Sequence, residues 1–289
     1  MTLDLGDQSG RTAIITGANS GLGKETAIAL AKAGADVVLA CRNLDKANAA
    51  AAEVGPGARV EQLDLASLDS VRDFADRIDR ADLLINNAGV MAVPYRKTAD
   101  GFEMQIGTNH LGHFALTLLL LDKDKVSDRV VTLSSFMHRL GKLDFDDLNW
   151  ERRRYNRWRA YGDSKLANLL FGKELARRLA ASGSSVVSTI AHPGYADTEL
   201  QSHTESIQDR VMVLGNKLMA QSAADGALPT LYAATSAQAR NGGFYGPTKR
   251  GGMQGPPGPS AYRKAADNEQ LATRLWQISE ELTGVSSSV

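Results

Sequence analysis

The chain has 289 residues, with 33 Lys+Arg against 33 Asp+Glu, a balance that gives no strong electrostatic footprint for nucleic acid or an anionic membrane. Hydrophobic residues make up 43% and charged residues 23%, ordinary globular usage that excludes wholesale disorder. The single cysteine, Cys41, excludes an intrachain disulfide and a cysteine-rich metal site, which fits a reducing compartment.

From the N-terminus, short β-branched runs alternate with helical stretches. Thr12–Thr16 reads as a buried strand, Leu22–Ala33 as an Ala-rich helix stopped by Gly34, and Asp36–Ala40 as the next strand. Lys46–Glu53 is a helix broken by Gly55-Pro56-Gly57, and Arg59–Leu63 is a third strand. Ser67 is placed to cap a helix over Leu68–Ile78. Leu83–Ile85 is the fourth strand, Gly101–Leu121 a long helix and Arg129–Leu133 the fifth strand. After a charged and aromatic insertion come a helix over Ala160–Ala181 and a strand over Ser185–Ile190. Gly242–Ser260, rich in Gly and Pro, reads as loop, and Thr273–Leu282 as a closing amphipathic helix. Repeated β–α–β units with continuously apolar strands imply an α/β fold, a parallel sheet with helices on both faces.

The first strand runs into Thr16-Gly17-Ala18-Asn19-Ser20-Gly21-Leu22-Gly23, and a helix follows. Glycines in a strand–turn–helix let the backbone approach a pyrophosphate whose charge sits at the helix N-terminus. The residue that reads the adenosine ribose belongs at the end of the second strand, where an Asp or Glu would favour NAD. That place holds Cys41-Arg42-Asn43 and no carboxylate. Guanidinium matches phosphate geometry, so Arg42 points to NADP(H) as cofactor. Asp64-Leu65, after the third strand, could accept from the adenine amine or could simply be a helix N-terminal acid.

Asn86-Asn87-Ala88-Gly89 and Ser134-Ser135 each follow a strand's C-terminal end, where ligands bind in open α/β sheets. Tyr161 and Lys165 stand four apart on a helix and so share a face. An ammonium beside a phenol favours the phenolate, and a Tyr poised that way serves as a general acid or base.

With these motifs the sequence resembles the short-chain dehydrogenase/reductase family over nearly its whole length. The resemblance implies one Rossmann domain over residues 1–289, with an insertion at 136–159 and a C-terminal extension at 242–289; the segment 195–220, with apolar residues at helical spacing just after Pro193-Gly194, reads either as a mobile substrate lid or as a fixed surface helix. It implies a catalytic set of Asn109, Ser135, Tyr161 and Lys165. Tyr161 would be the general acid/base, Ser135 rather than Ser134 would hold the substrate oxygen, Lys165 would hold the nicotinamide ribose, and Asn109 would anchor a water in the proton relay. Cofactor contacts would come from Gly17, Asn19, Ser20, Gly21, Leu22, Gly23, Arg42, Asp64, Leu65, Asn87, Ala88, Gly89, Tyr161, Lys165, Pro193 and Gly194. Ala40-Cys41-Arg42-Asn43, Ser164–Asn168 and Arg274–Leu282 narrow the resemblance to the branch of retinol dehydrogenases, the WW-domain oxidoreductase and protochlorophyllide reductase.

The expected activity is NADP(H)-dependent interconversion of a small-molecule carbonyl and an alcohol; the alternative is a catalytically silent NADP(H)-binding regulator. No metal site is expected: His110 and His113 lie three apart without a carboxylate cluster, and all five histidines read as structural, with His138 able to line a substrate cavity. Trp150, Tyr155 and Trp158 could cover an apolar substrate or pin the insertion down. The acidic N-terminal segment and the short apolar runs lead to the expectation of a cytoplasmic protein without a membrane anchor. The family often forms homo-oligomers through its long helices. Branch resemblance leaves the substrate open.

Overall fold

The computed structural model describes residues 3–195 and 221–287. The segment expected to form a substrate lid, 195–220, lies outside the described residues apart from Tyr195. Strands β1 (Thr12–Thr16), β2 (Asp36–Cys41), β3 (Ala58–Gln62), β4 (Ala81–Asn86), β5 (Val126–Leu133), β6 (Val187–Ala191), β7 (Phe244–Lys249) and β8 (Gln254–Pro259) form one sheet in the order β3-β2-β1-β4-β5-β6-β7-β8. All neighbours are parallel except β7 and β8. The order reverses between β1 and β4, so their C-terminal ends open a crevice. This is the doubly wound Rossmann arrangement.

Successive residues of a strand face opposite sides, and here both sides are dry. Ile14, Val38, Leu84 and Val130 pack under α3 (Leu68–Arg77) and α5 (Gly112–Asp122). Ile15, Leu39, Leu83 and Ile85 pack on the other side under α1 (Gly21–Lys32), α2 (Leu44–Val54) and α7 (Ala223–Thr235). The closing helix α8 (Glu269–Thr283) inserts the fully buried Trp276 between Phe114 and Phe171, with ring centroids 5.1 and 5.8 Å away. None of the described helices is long and apolar enough to cross a membrane.

Three segments differ from the expectation. The helix expected from Gly101 starts at Met104, because the buried Glu103 carboxylate accepts the Ile106 N–H at 2.8 Å and fixes the start there. It then runs as α4 (Met104–Ile106), a π-helical turn (Gly107–Leu111) and α5. Gly242–Ser260 is strand rather than loop: Phe244 and Tyr245 are buried, and the prolines of β8 fall on an edge strand, where a missing N–H is tolerated. α7 went unread because Pro229 sits inside it.

The insertion is pinned to the body. Tyr155 Oη donates to Glu103 Oε1 at 2.9 Å and accepts from Gln105 Nε2 at 2.8 Å. Arg153 lies 3.6 Å over the Trp150 ring and reaches both Asp147 and Asp163 at 3.5 Å. Of the two readings of the aromatics, Trp150 and Tyr155 therefore follow the pinning one.

Candidate active site

The cleft above β1 and β4 holds about 310 Å³ and is lined by Gly17, Asn19–Gly23, Arg42, Asp64, Leu65 and Asn87–Gly89, among others. Every cofactor residue expected from the first four strands is thus in one place. Two glycines make the close approach possible. Gly17 has φ +66°, and a Cβ there would lie 2.9 Å from Ala88 Cβ; a Cβ on Gly23 would lie 2.5 Å from Asn87 Nδ2 and from the Gly17 carbonyl oxygen. The N-terminus of α1 has no side-chain cap and no acid in its first turn, whereas α2, α3 and α8 have both. Its free N–H groups and dipole therefore face the cleft uncompensated, which suits a bound pyrophosphate.

At the far rim Arg42 is exposed, and Lys46 lines the same cleft. Sequence reading missed Lys46; the available signal was its place in the first turn of α2, just beyond the cap Asn43 that follows Arg42. Asn43 Oδ1 accepts the Lys46 N–H at 2.9 Å and so places the start of α2 at the rim. Asp64 Oδ1 is partly spent locally on the Ala66 N–H at 2.9 Å.

The chemical end lies where β5 meets α6 (Arg157–Ala181). Ser134 Oγ donates to the Lys165 carbonyl at 2.7 Å, and the Leu133 carbonyl accepts from Lys165 Nζ at 3.2 Å and Asn168 Nδ2 at 2.9 Å. Ser134 is thereby a stitch between strand and helix, and Ser135 is the one paired with the Tyr161 hydroxyl. Burial pushes the Tyr161 phenol up to about 12, against the lowering effect of Ser135. Burial alone brings Lys165 down to about 8. The expectation that the ammonium favours a phenolate is therefore outweighed: Nζ stands 5.8 Å from the Tyr161 ring centroid, and burial dominates both groups.

Asn109 sits in the π turn, fully buried. Its Oδ1 accepts the Val90 N–H at 2.8 Å, and its Nδ2 donates to the Val90 carbonyl and to Ser164 Oγ, both at 2.9 Å. The side chain is thus engaged in holding backbone. A Cβ on Gly89 would lie 3.2 Å from Asn109 Oδ1 and 3.5 Å from Lys165 Nζ, so the cleft's inner wall backs onto Asn109 and Lys165. Pro193 and Gly194, like Ser135, Tyr161 and Lys165, fall outside the residues lining this part of the cleft; Gly194 packs against the Met253 carbonyl, and Tyr195 N–H donates to that same oxygen at 3.0 Å. His138 is spent on backbone: Nδ1 donates to the Ser135 carbonyl at 2.6 Å, and Nε2 accepts the Arg263 N–H at 3.3 Å.

Asp163, between Tyr161 and Lys165 in sequence, accepts the Lys142 N–H at 2.7 Å and ties the segment after Ser135 to α6. Burial pushes its carboxyl up to about 6, more than Lys142 and the 3.5 Å contact with Arg153 offset. The folded chain thus binds this proton more tightly than the unfolded one, so the charge costs stability above pH 6 and the cost fades as pH falls towards 4. Asp163→Asn keeps the acceptor and should raise stability at pH 7.5 by up to about 3 kcal/mol, with a smaller gain at pH 5. Urea unfolding at the two pH values measures this; an equal or opposite effect at both would refute it.

A family model, short chain dehydrogenase, matches residues 11–209. The chain belongs to the short-chain dehydrogenase/reductase family. It is 44% identical to retinol dehydrogenase 13 of Homo sapiens, over 96% of this chain and 86% of that protein. It is 42% identical to retinol dehydrogenase 12 of Homo sapiens, over 96% and 87%. A crystal structure of an uncharacterised protein from Mycobacterium paratuberculosis matches with TM-score 0.85 and 49% identity over 98% of this chain and 97% of that one. This short-chain dehydrogenase thus lies in the retinol dehydrogenase-like branch. Its reaction class is oxidoreduction between carbonyl and alcohol with a nicotinamide dinucleotide.

Proposed function

We propose that the protein is an NADP(H)-dependent oxidoreductase for a small-molecule carbonyl or alcohol, with Tyr161 as general acid/base. The observation that carries the cofactor choice is the rim of the cleft, where Arg42 and Lys46 stand and no carboxylate ends β2. Two cations there favour a ribose phosphate over a free hydroxyl pair. When bound, the dinucleotide supplies or accepts the hydride. The chain's own residues do the rest. The Gly17–Gly23 loop and α1 hold the pyrophosphate, and Ser135 and Tyr161 hold the substrate oxygen. Tyr161, protonated at neutral pH, delivers the proton in the reducing direction, and Lys165 orients the ribose.

Arg42→Asp should weaken NADPH binding by about ten- to a hundredfold, the value of a charge-assisted hydrogen bond, and should narrow the gap to NADH. Lys46→Ala should act in the same direction with a smaller effect. Titration calorimetry with both dinucleotides tests this; wild-type protein that binds NADH as tightly as NADPH sinks the assignment.

A further inference from the structure

Two clamps hold the Asn87–Val90 backbone between the cleft and the catalytic residues. At one end the Thr16 hydroxyl accepts the N–H groups of Asn87 and Ala88, both at 2.9 Å. At the other end the Asn109 side chain brackets Val90, taking its N–H at 2.8 Å and reaching its carbonyl at 2.9 Å. One buried side chain touches both clamps. His113 Nε2 lies 2.9 Å from Thr16 Oγ1, and Nδ1 lies 3.0 Å from the Asn109 carbonyl oxygen.

Proton counting fixes how these contacts run. A threonine oxygen has two lone pairs and one proton. The Asn87 and Ala88 N–H groups take both lone pairs, so the proton points to His113 Nε2; the other acceptor, the Ile85 carbonyl, is 3.4 Å away. Nε2 must then be bare, and the ring's only proton sits on Nδ1, donating to Asn109. A second proton, on Nε2, would face an oxygen with nothing left to accept it. Burial, helped by the Lys165 charge, keeps the ring neutral down to about pH 4.

We infer that His113 is a positioning residue: it braces the Thr16 clamp against the Asn109 clamp and so fixes the spacing between the cofactor-side and catalysis-side ends of the Asn87–Val90 backbone. Its consequence for cofactor binding rests on the dinucleotide reading above; the brace itself does not. An apolar ring of similar size fills the same space but leaves the Thr16 proton without its short acceptor and the Asn109 carbonyl without its side-chain donor.

Amide hydrogen exchange in the intact protein reads the two clamps separately. His113→Gln places an amide where Nε2 was and keeps an acceptor for Thr16. His113→Asn places one where Nδ1 was and keeps the donor to Asn109. His113→Phe keeps neither. Exchange at Ala88 should speed about tenfold in the Asn and Phe variants but not in Gln, and exchange at Val90 should speed about tenfold in Gln and Phe but not in Asn, the effect of one ordinary hydrogen bond. NADPH affinity, read by fluorescence, should follow the Ala88 amide. If the Phe variant does not fold, the Gln/Asn contrast carries the test. Equal acceleration at both amides in Gln and Asn alike, or no change in either, overturns the brace. Wild-type protein that binds neither NADPH nor NADH removes the cofactor reading, while the exchange pattern still decides for or against the brace.

Discussion

Tyr161→Phe should reduce turnover by roughly 10²–10⁴, the range for losing a general acid/base, while leaving NADPH affinity within a few-fold of wild type. The phenol is buried, touches Ser135 and is held up to about 12 by its dry surroundings, so at neutral pH it stands ready as a proton donor. The substrate oxygen gains negative charge as the carbonyl is reduced, and in the proposed mechanism this hydroxyl gives it a proton. In the oxidising direction the phenol must first lose its proton. The reverse reaction should therefore rise with pH through the alkaline range while the forward reaction stays flat. Phe removes one oxygen atom and keeps the ring in its slot, so the fold should survive. Lys165→Met should lower both turnover and cofactor affinity, because its ammonium lies beside the cleft's inner wall at Gly89. Steady-state turnover with a carbonyl panel and NADPH checks both variants. Wild-type turnover by Tyr161→Phe where chemistry limits the rate would refute the assignment. His138 is no substitute, since both its nitrogens are occupied by backbone. A wild-type chain that binds NADPH yet reduces no carbonyl and oxidises no alcohol would instead be the silent binding protein.

Acidification from pH 7 to pH 5 should cost several kcal/mol of folding stability, out of a total that is typically 5–15 kcal/mol. The chief cause is three buried, neutral histidines, with the buried His138 acting in the same direction. Burial holds His110 down to about 3 and His113 and His192 down to about 4. A histidine whose folded value is depressed loses stability as pH falls below its unfolded value of about 6.5, because only the unfolded chain takes the proton. At pH 5 each contributes about 2 kcal/mol in favour of unfolding, about 6 kcal/mol together. Asp163, with its opposite sign, returns about 1 kcal/mol over the same interval. Urea unfolding at pH 8, 7, 6 and 5 should show stability nearly flat above pH 7 and falling steeply below 6.5. His110→Asn should remove about a third of that slope. A flat profile between pH 7 and 5 would contradict the burial of these rings in neutral form.

The parallel sheet was legible because its strands are short, apolar on both faces and separated by capped helices; Asn43, Ser67 and Asn268 each cap the helix that follows them. The glycine loop and the cleft residues were legible because a pyrophosphate site imposes spacing on contiguous sequence. Less legible was anything set by distant contacts. The π turn at Gly107–Leu111 depends on side-chain bonds from Asn109 to Val90 and Ser164, partners 19 and 55 residues away. The strands in Gly242–Ser260 were hidden by composition, since Gly and Pro signal turns locally and say nothing about a neighbouring β6 edge. The protonation of Tyr161 was misjudged for a similar reason: helical spacing shows that Lys165 shares its face, but the dryness that governs both groups comes from the packing around them.

Each end of the sheet is finished differently. β3 closes one end with Arg59 and Glu61, the latter 3.6 Å from Arg77. β8 closes the other with Pro256, Pro257 and Pro259, three of its six residues, which present no N–H at all. A stray strand, whether from a second copy or from an unfolding neighbour, finds charge at one margin and missing donors at the other. Among the described residues, neither margin of the native sheet thus offers another molecule's backbone an uncharged and uninterrupted row of donors and acceptors.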